Sequence, residues 1–214
     1  MKKMIAAIFA VLTVSALFLG CASTDVVQKY SKQSFSDLLK ADPSLVSEGK
    51  NNDYVLTVDG KTRLTVSRDY SKSGEDIVLS TPIQPFLDAG LDVSKLGKDY
   101  KADSTTFSLI TDFGKGTGKK DTPEQALFES VTADRKALTY HQALDHYGIV
   151  LNGGKFEFAK DYTKNDKDIV FVIAAKPLRD LGVDVQKVEG WAFKTMKDES
   201  GKDVDLLLKP YNLK

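Results

Sequence analysis

The chain has 214 residues, with 30 basic and 30 acidic side chains, two histidines and one cysteine. Its charges alternate in sign over short distances, which is typical of a solvated surface. The equal numbers of basic and acidic residues lack the basic excess that a nucleic-acid-binding face would require. A single cysteine excludes an intramolecular disulfide. The apolar fraction of 42% is ordinary for a folded protein.

The N-terminus has the features of an export signal. Lys2 and Lys3 precede an uncharged apolar run over residues 4–20. A membrane-spanning helix needs about 20 apolar residues, so this run is slightly short for a permanent anchor and favours a cleaved signal. We therefore predict a signal peptide over residues 1–20.

The residues around the cysteine, Leu17-Phe18-Leu19-Gly20-Cys21, resemble the lipobox of bacterial lipoproteins and are similar to the looser spirochaete type. In such proteins the signal is removed before the cysteine, which then carries acyl chains such as palmitate. The resemblance implies lipidation of Cys21, residues 21–33 as a solvated tether, and a location in the cell envelope. The absence of an aspartate at Ala22 and Ser23 favours the outer membrane in a cell with two membranes.

The alternatives for Cys21 are a buried free thiol and an ordinary secretory signal. Cleavage before Cys21 leaves 194 residues, and the loss of Lys2 and Lys3 leaves 28 basic and 30 acidic side chains, a formal charge of −2. That length suits one medium domain or two small ones.

A ten-residue phrase occurs twice, as DYSKSGEDIV over residues 69–78 and as DYTKNDKDIV over residues 161–170. Without gaps, residues 69–95 match residues 161–187 at 12 of 27 positions, where chance would give about one or two. The chain therefore contains an internal duplication, and two copies are too few for a solenoid. The predicted boundaries are 34–113 for repeat 1, 114–121 for a flexible linker and 122–214 for repeat 2.

Hairpin signals come first in each repeat. Asp59-Gly60 lies between two alternating apolar segments and predicts a type I′ turn, in which both central residues need positive φ. Asn152-Gly153-Gly154 has the corresponding place in repeat 2. The predicted strands beside these turns cover residues 54–58, 62–67, 149–151 and 155–159.

Short helices follow the third strand of each repeat. Pro85 and Pro177 suit their first turns, and Gly90 and Gly182 suit the positions after their ends. Asp92 and Asp184 are predicted caps of a further turn. The remaining predicted strands cover residues 77–83 and 105–111 in repeat 1, and 169–175, 191–196 and 204–207 in repeat 2, with 191–196 expected in repeat 2 alone.

A longer helix is predicted to begin at Thr122-Pro123-Glu124-Gln125, which has a capping threonine, an early proline and a glutamine three residues after the cap. It would run towards His146 and exceed its counterpart over residues 35–41. His141 and His146 would then be polar helix residues about 140° apart, a poor arrangement for one metal ion, because each helical residue adds about 100°. Haem or metal ligation by these histidines is the alternative.

These elements predict an α+β fold of two duplicated halves, each an antiparallel β-meander with short helices packed on one face. The shared pairs Asp69-Tyr70 and Asp161-Tyr162 are either symmetric ligand contacts or, as we favour, a turn aspartate beside a tyrosine at the core edge. The glycine-rich linker lacks the phosphate-loop pattern because Phe113 stands where glycine is needed.

The sequence predicts no catalytic residue, metal ligand or cofactor, since no nucleophile–base or thiol constellation can be assembled. The expected function is that of a non-catalytic envelope lipoprotein, anchored in the membrane and contacting an envelope protein or a small ligand. One alternative is a lipid-binding or membrane-perturbing protein acting through an amphipathic helix within residues 123–147. The other is an envelope enzyme with two carboxylates facing each other in a cleft.

Overall fold

The computed structural model describes residues 22–71, 74–113, 118–131, 137–162, 167–198 and 200–213. Cys21 and the signal segment therefore lie outside the described residues. The fold is α+β with two duplicated halves, as predicted, and each half contributes one six-stranded antiparallel sheet.

The elements follow in the same order in both repeats. Repeat 1 contains α1 (Ala22–Ala41), β1 (Val46–Glu48), β2 (Tyr54–Val58), β3 (Thr62–Val66), β4 (Ile77–Pro82), α2 (Gln84–Asp88), β5 (Tyr100–Ala102) and β6 (Thr106–Thr111). Repeat 2 contains α3 (Pro123–Val131), β7 (Leu138–His141), β8 (His146–Leu151), β9 (Gly154–Ala159), β10 (Ile169–Ala174), α4 (Ala175–Asp180), β11 (Ala192–Lys197) and β12 (Asp203–Tyr211).

The two sheets have the same topology. Their strand orders are β1-β2-β3-β4-β6-β5 and β7-β8-β9-β10-β12-β11, so each strand has a counterpart six positions later in the numbering. The expectation that the strand at residues 191–196 occurs only in repeat 2 is therefore wrong, because β5 is the counterpart of β11. The three residues of β5 are too few to give an alternating pattern in the sequence.

The turn between β2 and β3 is formed by Asp59 and Gly60, as the sequence predicts. Asp59 and Gly60 have φ of 50° and 70°, which confirms the type I′ turn. The Asp59 carboxylate also accepts the backbone N–H groups of Lys61 and Thr62 at 3.1 and 2.9 Å.

The repeated phrase ties the start of the fourth strand of each repeat, β4 or β10, to the end of the sixth, β6 or β12. Asp76 is buried and accepts the N–H of Phe113 at 2.6 Å, while its counterpart Asp168 is buried and accepts the N–H of Leu213 at 2.6 Å. A buried carboxylate needs such donors, so the aspartate recurs for a structural reason.

The repeats meet around an approximate twofold axis at the ends of α2 and α4. Gly90 and Gly182 follow these ends with φ of 99° and 93°, which confirms their predicted position. The N–H of Asp92 donates to the Leu181 carbonyl at 2.9 Å, and the N–H of Asp184 donates to the Ala89 carbonyl at 2.7 Å. A Cβ on either glycine would lie 2.9 Å from the carbonyl oxygen of the other.

The helices α1 and α3 join the two sheets into one core. Phe35 of α1 packs edge-on against Phe128 of α3 and against Phe156 and Phe158 of β9. The buried apolar side chains of both repeats form a single cluster. The 20 residues of α1 exceed the nine of α3, so the expectation that the first helix is the shorter one is wrong.

Residues 22–33, expected as a solvated spacer, form the first part of α1. Ser31 is fully buried there and donates its hydroxyl proton to the Gln28 carbonyl. This segment is therefore helical and partly packed, and its role as a membrane tether stays a prediction.

The helix α3 ends at Val131 and does not continue to His146. The Thr122 hydroxyl accepts the N–H of Gln125 at 3.2 Å, which confirms the cap. Residues 138–141 and 146–151 instead form the hairpin of β7 and β8, so His141 and His146 are strand residues. The Thr-Tyr-His run at 139–141 suits a pleated strand, and the chain reverses at Asp145, which has φ of 52°.

The helix expected within residues 123–147 is therefore limited to α3, whose buried apolar residues face the core, and the action of such a helix on a membrane stays a prediction. Among the described residues, none of the helices is both long and apolar enough to cross a membrane.

The described end of the predicted linker packs against repeat 1. Lys120 is buried, its N–H donates to the Arg68 carbonyl and its ammonium pairs with Glu129. Residues 114–117 lie outside the described residues.

Candidate functional site

The two sheets differ most on their outer faces, which point away from the shared core. In an antiparallel sheet, residues paired across neighbouring strands project from the same face. The register therefore defines one row across each sheet. The row in repeat 1 is Thr57, Arg63, Ser80, Ser108 and Lys101. The matching row in repeat 2 is Val150, Lys155, Val172, Leu208 and Ala192.

At the centre of this row a polar pair is replaced by an apolar pair. Ser80 and Ser108 lie on β4 and β6, and their hydroxyl oxygens are 2.9 Å apart. Val172 and Leu208 have the same positions on β10 and β12. The outer face of repeat 2 is thus apolar where that of repeat 1 is polar.

The apolar face of repeat 2 forms the floor of a groove of about 680 Å³. This volume lies in the range of small-molecule sites. A depression of about 470 Å³ on the outer face of repeat 1 is lined largely by polar residues instead. The apolar lining of the groove consists mainly of Val150, Val172, Met196, Val204, Leu206 and Leu208.

Glu157 supplies a buried carboxylate at the β7 side of the groove. It lies in a second row with Gly148 and Thr139, and its side chain is only 4% exposed. A Cβ on Gly148 would lie 3.4 Å from the Glu157 Cγ and 2.8 Å from the Thr139 hydroxyl. The missing side chain at Gly148 therefore leaves room for Glu157 to cross β8 towards β7. In repeat 1 the corresponding row is Ser47, Val55 and Thr65.

One oxygen of Glu157 has a partner and the other has none among the described residues. Oε1 lies 3.5 Å from Nδ1 of His141, and Oε2 is buried without a hydrogen bond. Buried carboxylate oxygens are normally satisfied, because desolvating them without a donor is costly.

His146 projects from the same face as His141, because the two residues are paired across β7 and β8. Its Nε2 donates to the Lys167 carbonyl at 2.7 Å, since a carbonyl oxygen can only accept. Within the described part of the chain its buried Nδ1 has no partner, and in the neutral ring this nitrogen is an acceptor. Among the described residues, Glu157 Oε2 and His146 Nδ1 are thus buried polar atoms without partners on one face of the sheet, and only Glu157 of the two lines the groove.

Tyrosine and aspartate side chains lie at the two ends of the groove. A hydrogen bond to Asp145, together with burial, raises the pKa of Tyr140 to about 12. Asp198, at the β11–β12 turn, accepts hydrogen bonds from Ser200 that lower its pKa. Both groups therefore keep their usual charge at neutral pH.

The other sequence candidates do not converge on this groove. Cys21 lies outside the described residues. Tyr70 is buried and donates its hydroxyl proton to the Ala126 carbonyl, and Asp69 accepts the N–H of Ser71 at 3.2 Å. The turn-and-core interpretation of the first Asp-Tyr pair is thus confirmed.

No group of three or more histidine, cysteine, aspartate or glutamate side chains among the described residues could hold a metal ion. Glu157 was not among the residues predicted from the sequence. The only signal that could have indicated it was its place as a charged residue that alternates with the core-facing Phe156 and Phe158 of one strand.

No protein-family model, curated protein or solved structure matches this chain. The groove and the N-terminal signal are therefore the features that bear on function.

Proposed function

We propose that this protein is a membrane-anchored envelope lipoprotein that binds an amphipathic small molecule in the groove of repeat 2. The observation that carries the proposal is the replacement of Thr57, Ser80 and Ser108 by an apolar row on the equivalent strands. Such a row would be unfavourable on a sheet face that contacts only water, because exposing apolar area to water costs free energy.

The shape and chemistry of the groove support a ligand with two unlike parts. The apolar floor favours an alkyl or aromatic body, since each Å² of apolar surface removed from water contributes about 25 cal/mol. The polar groups at one side, the buried Glu157 and the half-buried His141, favour a polar head in a fixed orientation.

The anchor is proposed from the sequence alone. Cleavage before Cys21 would place the lipid one residue before α1, which is packed against the core of repeat 2 from Phe35 onward. The groove would then be held near the membrane surface, where amphipathic molecules are concentrated.

Binding can be tested with the mature chain carrying Cys21→Ser, which removes the acyl chains. Titration with an apolar fluorescent probe should give saturable binding at one site per chain, and Val172→Trp should abolish it by filling the groove. Ser80→Trp on the equivalent strand of repeat 1 is the matched control and should leave binding intact. Equal loss in both variants, or no binding by the parent chain, would refute the groove as the site.

The anchor needs a separate experiment in the native host. Mass spectrometry of the wild-type protein should find acyl chains on Cys21, and Cys21→Ser should accumulate as an uncleaved or soluble form. Normal membrane partition of the variant, without lipid on the parent, would contradict lipidation.

The enzyme alternative requires two carboxylates facing each other. Within the groove, Glu157 faces an imidazole, and Asp198 lies at the far end near the β11–β12 turn. This arrangement favours binding over carboxylate-pair catalysis, and we retain the enzyme only as a hypothesis for assay.

A further inference from the structure

We infer that the groove selects a ligand whose head is a primary ammonium group on a single apolar chain, held by Glu157. This inference rests on the proposed function, because it assigns the head group of the molecule that the groove would bind. Its basis is the chemistry of the buried polar atoms on the β7 side.

The unsatisfied atom in the groove is an acceptor. Oε2 of Glu157, a residue that lines the groove, is buried without a partner among the described residues. Only a donor can satisfy this oxygen, and a carboxylate or phosphate head would add further acceptors and a like charge beside Glu157. An ammonium group supplies three N–H donors and the opposite charge.

His141 fixes the direction in which the carboxylate can bind. Its Nδ1 lies 3.5 Å from Oε1, so this oxygen is already turned towards β7. Oε2 is the oxygen left for a ligand, whereas a Cβ on Gly148 would lie 3.8 Å from Oε1 and 2.8 Å from the Thr139 hydroxyl. The head group is therefore expected beside β8, with the chain lying over Val172 and Leu208.

The size of the groove favours one chain. A volume of about 680 Å³ accommodates a drug-sized molecule, whereas a two-chain lipid is larger. Lys155 lies two residues from Glu157 on β9 and is half-buried. Its ammonium is tethered by a long side chain that can turn towards water, so it does not prevent a cation from reaching Glu157.

The test compares ligands that share a decyl chain and differ only in the head. Calorimetric titration of the mature Cys21→Ser chain, below micelle-forming concentrations, would use decylammonium, decanol, decanoate and decyltrimethylammonium. We expect decylammonium to bind at least tenfold more tightly than the others. The trimethylated ligand is decisive because it keeps the charge and lacks N–H donors.

Protein variants give the reciprocal test. Glu157→Gln should reduce the preference for decylammonium over decanol to threefold or less, and Lys155→Gln should leave it unchanged or slightly larger. If Glu157→Gln fails to fold, as judged by circular dichroism, the ligand series on the parent chain still decides the matter.

The outcomes separate the two proposals. If no decyl ligand binds, the groove itself fails as a site. If all four bind equally, or if Glu157→Gln keeps the preference, the groove stands and the ammonium assignment is overturned. Competition by phosphatidylethanolamine vesicles, but not by phosphatidylcholine vesicles, would overturn the single-chain ligand in favour of a membrane lipid; no competition by either supports it.

Discussion

The outer faces of the two repeats have the same strands in the same register and opposite character. Ser80 and Ser108 form a polar pair on one sheet, and Val172 and Leu208 form an apolar pair on the other. Because the backbone is common to both, the difference lies in the side chains alone. Comparing equivalent positions thus isolates the residues that the fold does not require.

The shared residues give the complementary information. Asp76 and Asp168 hold the ends of the sixth strands, and Gly90 and Gly182 allow the repeats to approach. Identity between the repeats therefore indicates structure, while divergence on an exposed face indicates the candidate site.

The largest effect is expected from adding a methyl group at the twofold axis. Gly90→Ala or Gly182→Ala would place a Cβ 2.9 Å from a backbone oxygen at positive φ. The left-handed conformation costs about 1–2 kcal/mol and the close contact about 1–3 kcal/mol, so the unfolding free energy should fall by about 2–5 kcal/mol. Urea unfolding measures this change.

Gly190→Ala is the matched control for these substitutions. Gly190 has φ of 76° and no atom within 4 Å of an added Cβ, so this variant has the backbone strain without the contact. We expect a loss of about 1 kcal/mol. If Gly90→Ala and Gly182→Ala cost no more than this control, the close approach at the axis is not as described.

The second prediction converts the face of repeat 2 into that of repeat 1. Val172→Ser with Leu208→Ser should weaken decylammonium binding at least tenfold, because the apolar chain loses contacts and about 1.4 kcal/mol corresponds to a factor of ten. Unfolding free energy should fall by about 1–3 kcal/mol, since Val172 is only 4% exposed. Calorimetry and urea unfolding measure the two effects, and unchanged binding would contradict the role of the apolar row.

The duplication, the hairpin turns and the glycine helix ends were predictable because each depends on neighbours in sequence. Asp59-Gly60 encodes its turn through backbone preference alone. The tract after α3 was mispredicted because a helix cap says where a helix begins and not where it ends. Residues 138–141 form an edge strand that pairs with β8. This pairing is a tertiary interaction, and the local pattern of residues does not indicate it.

The groove could not be predicted because it depends on the order of the strands in the sheet and on the face from which each side chain projects. Leu206-Leu207-Leu208 reads as a buried strand, and only the register shows that Leu207 enters the core while its neighbours face the groove. The contact of Glu157 with His141 reaches from β9 over β8 to β7, and it depends on the missing side chain at Gly148.

The third prediction concerns the contact between each hairpin turn and the other repeat. Asp59 accepts the Tyr211 hydroxyl proton and lies 3.4 Å from the Lys209 ammonium, whereas Asn152 uses its N–H to reach Thr111 at 2.9 Å. Burial alone would raise the pKa of Asp59, but the donors from Tyr211, Thr62 and Lys209 together hold it below its usual value. Asp59→Asn keeps the left-handed turn and removes the charge, and should cost about 1 kcal/mol at pH 7.

The sign of the pH effect follows from the lowered pKa. The folded state favours ionised Asp59, so its contribution is full above the unfolded pKa of about 3.9 and is lost as pH falls through the lower folded value. Urea midpoints of the wild type and Asp59→Asn should therefore converge as the pH falls below about 4. A constant difference across this range would show that the charge of Asp59 does not contribute.

The smallest effect is expected from the reverse exchange, Ser80→Val with Ser108→Leu. Replacing two hydrogen-bonded hydroxyls by apolar groups of similar shape is nearly neutral, and unfolding free energy should change by less than about 1 kcal/mol. The informative measurement is decylammonium binding in a chain that also carries Val172→Ser and Leu208→Ser. We expect no recovery, because Thr65 stands in place of Glu157 and Val55 fills the space that Gly148 leaves open. Recovery of binding would mean that an apolar row is sufficient, and that the buried carboxylate of repeat 2 does not contribute to recognition.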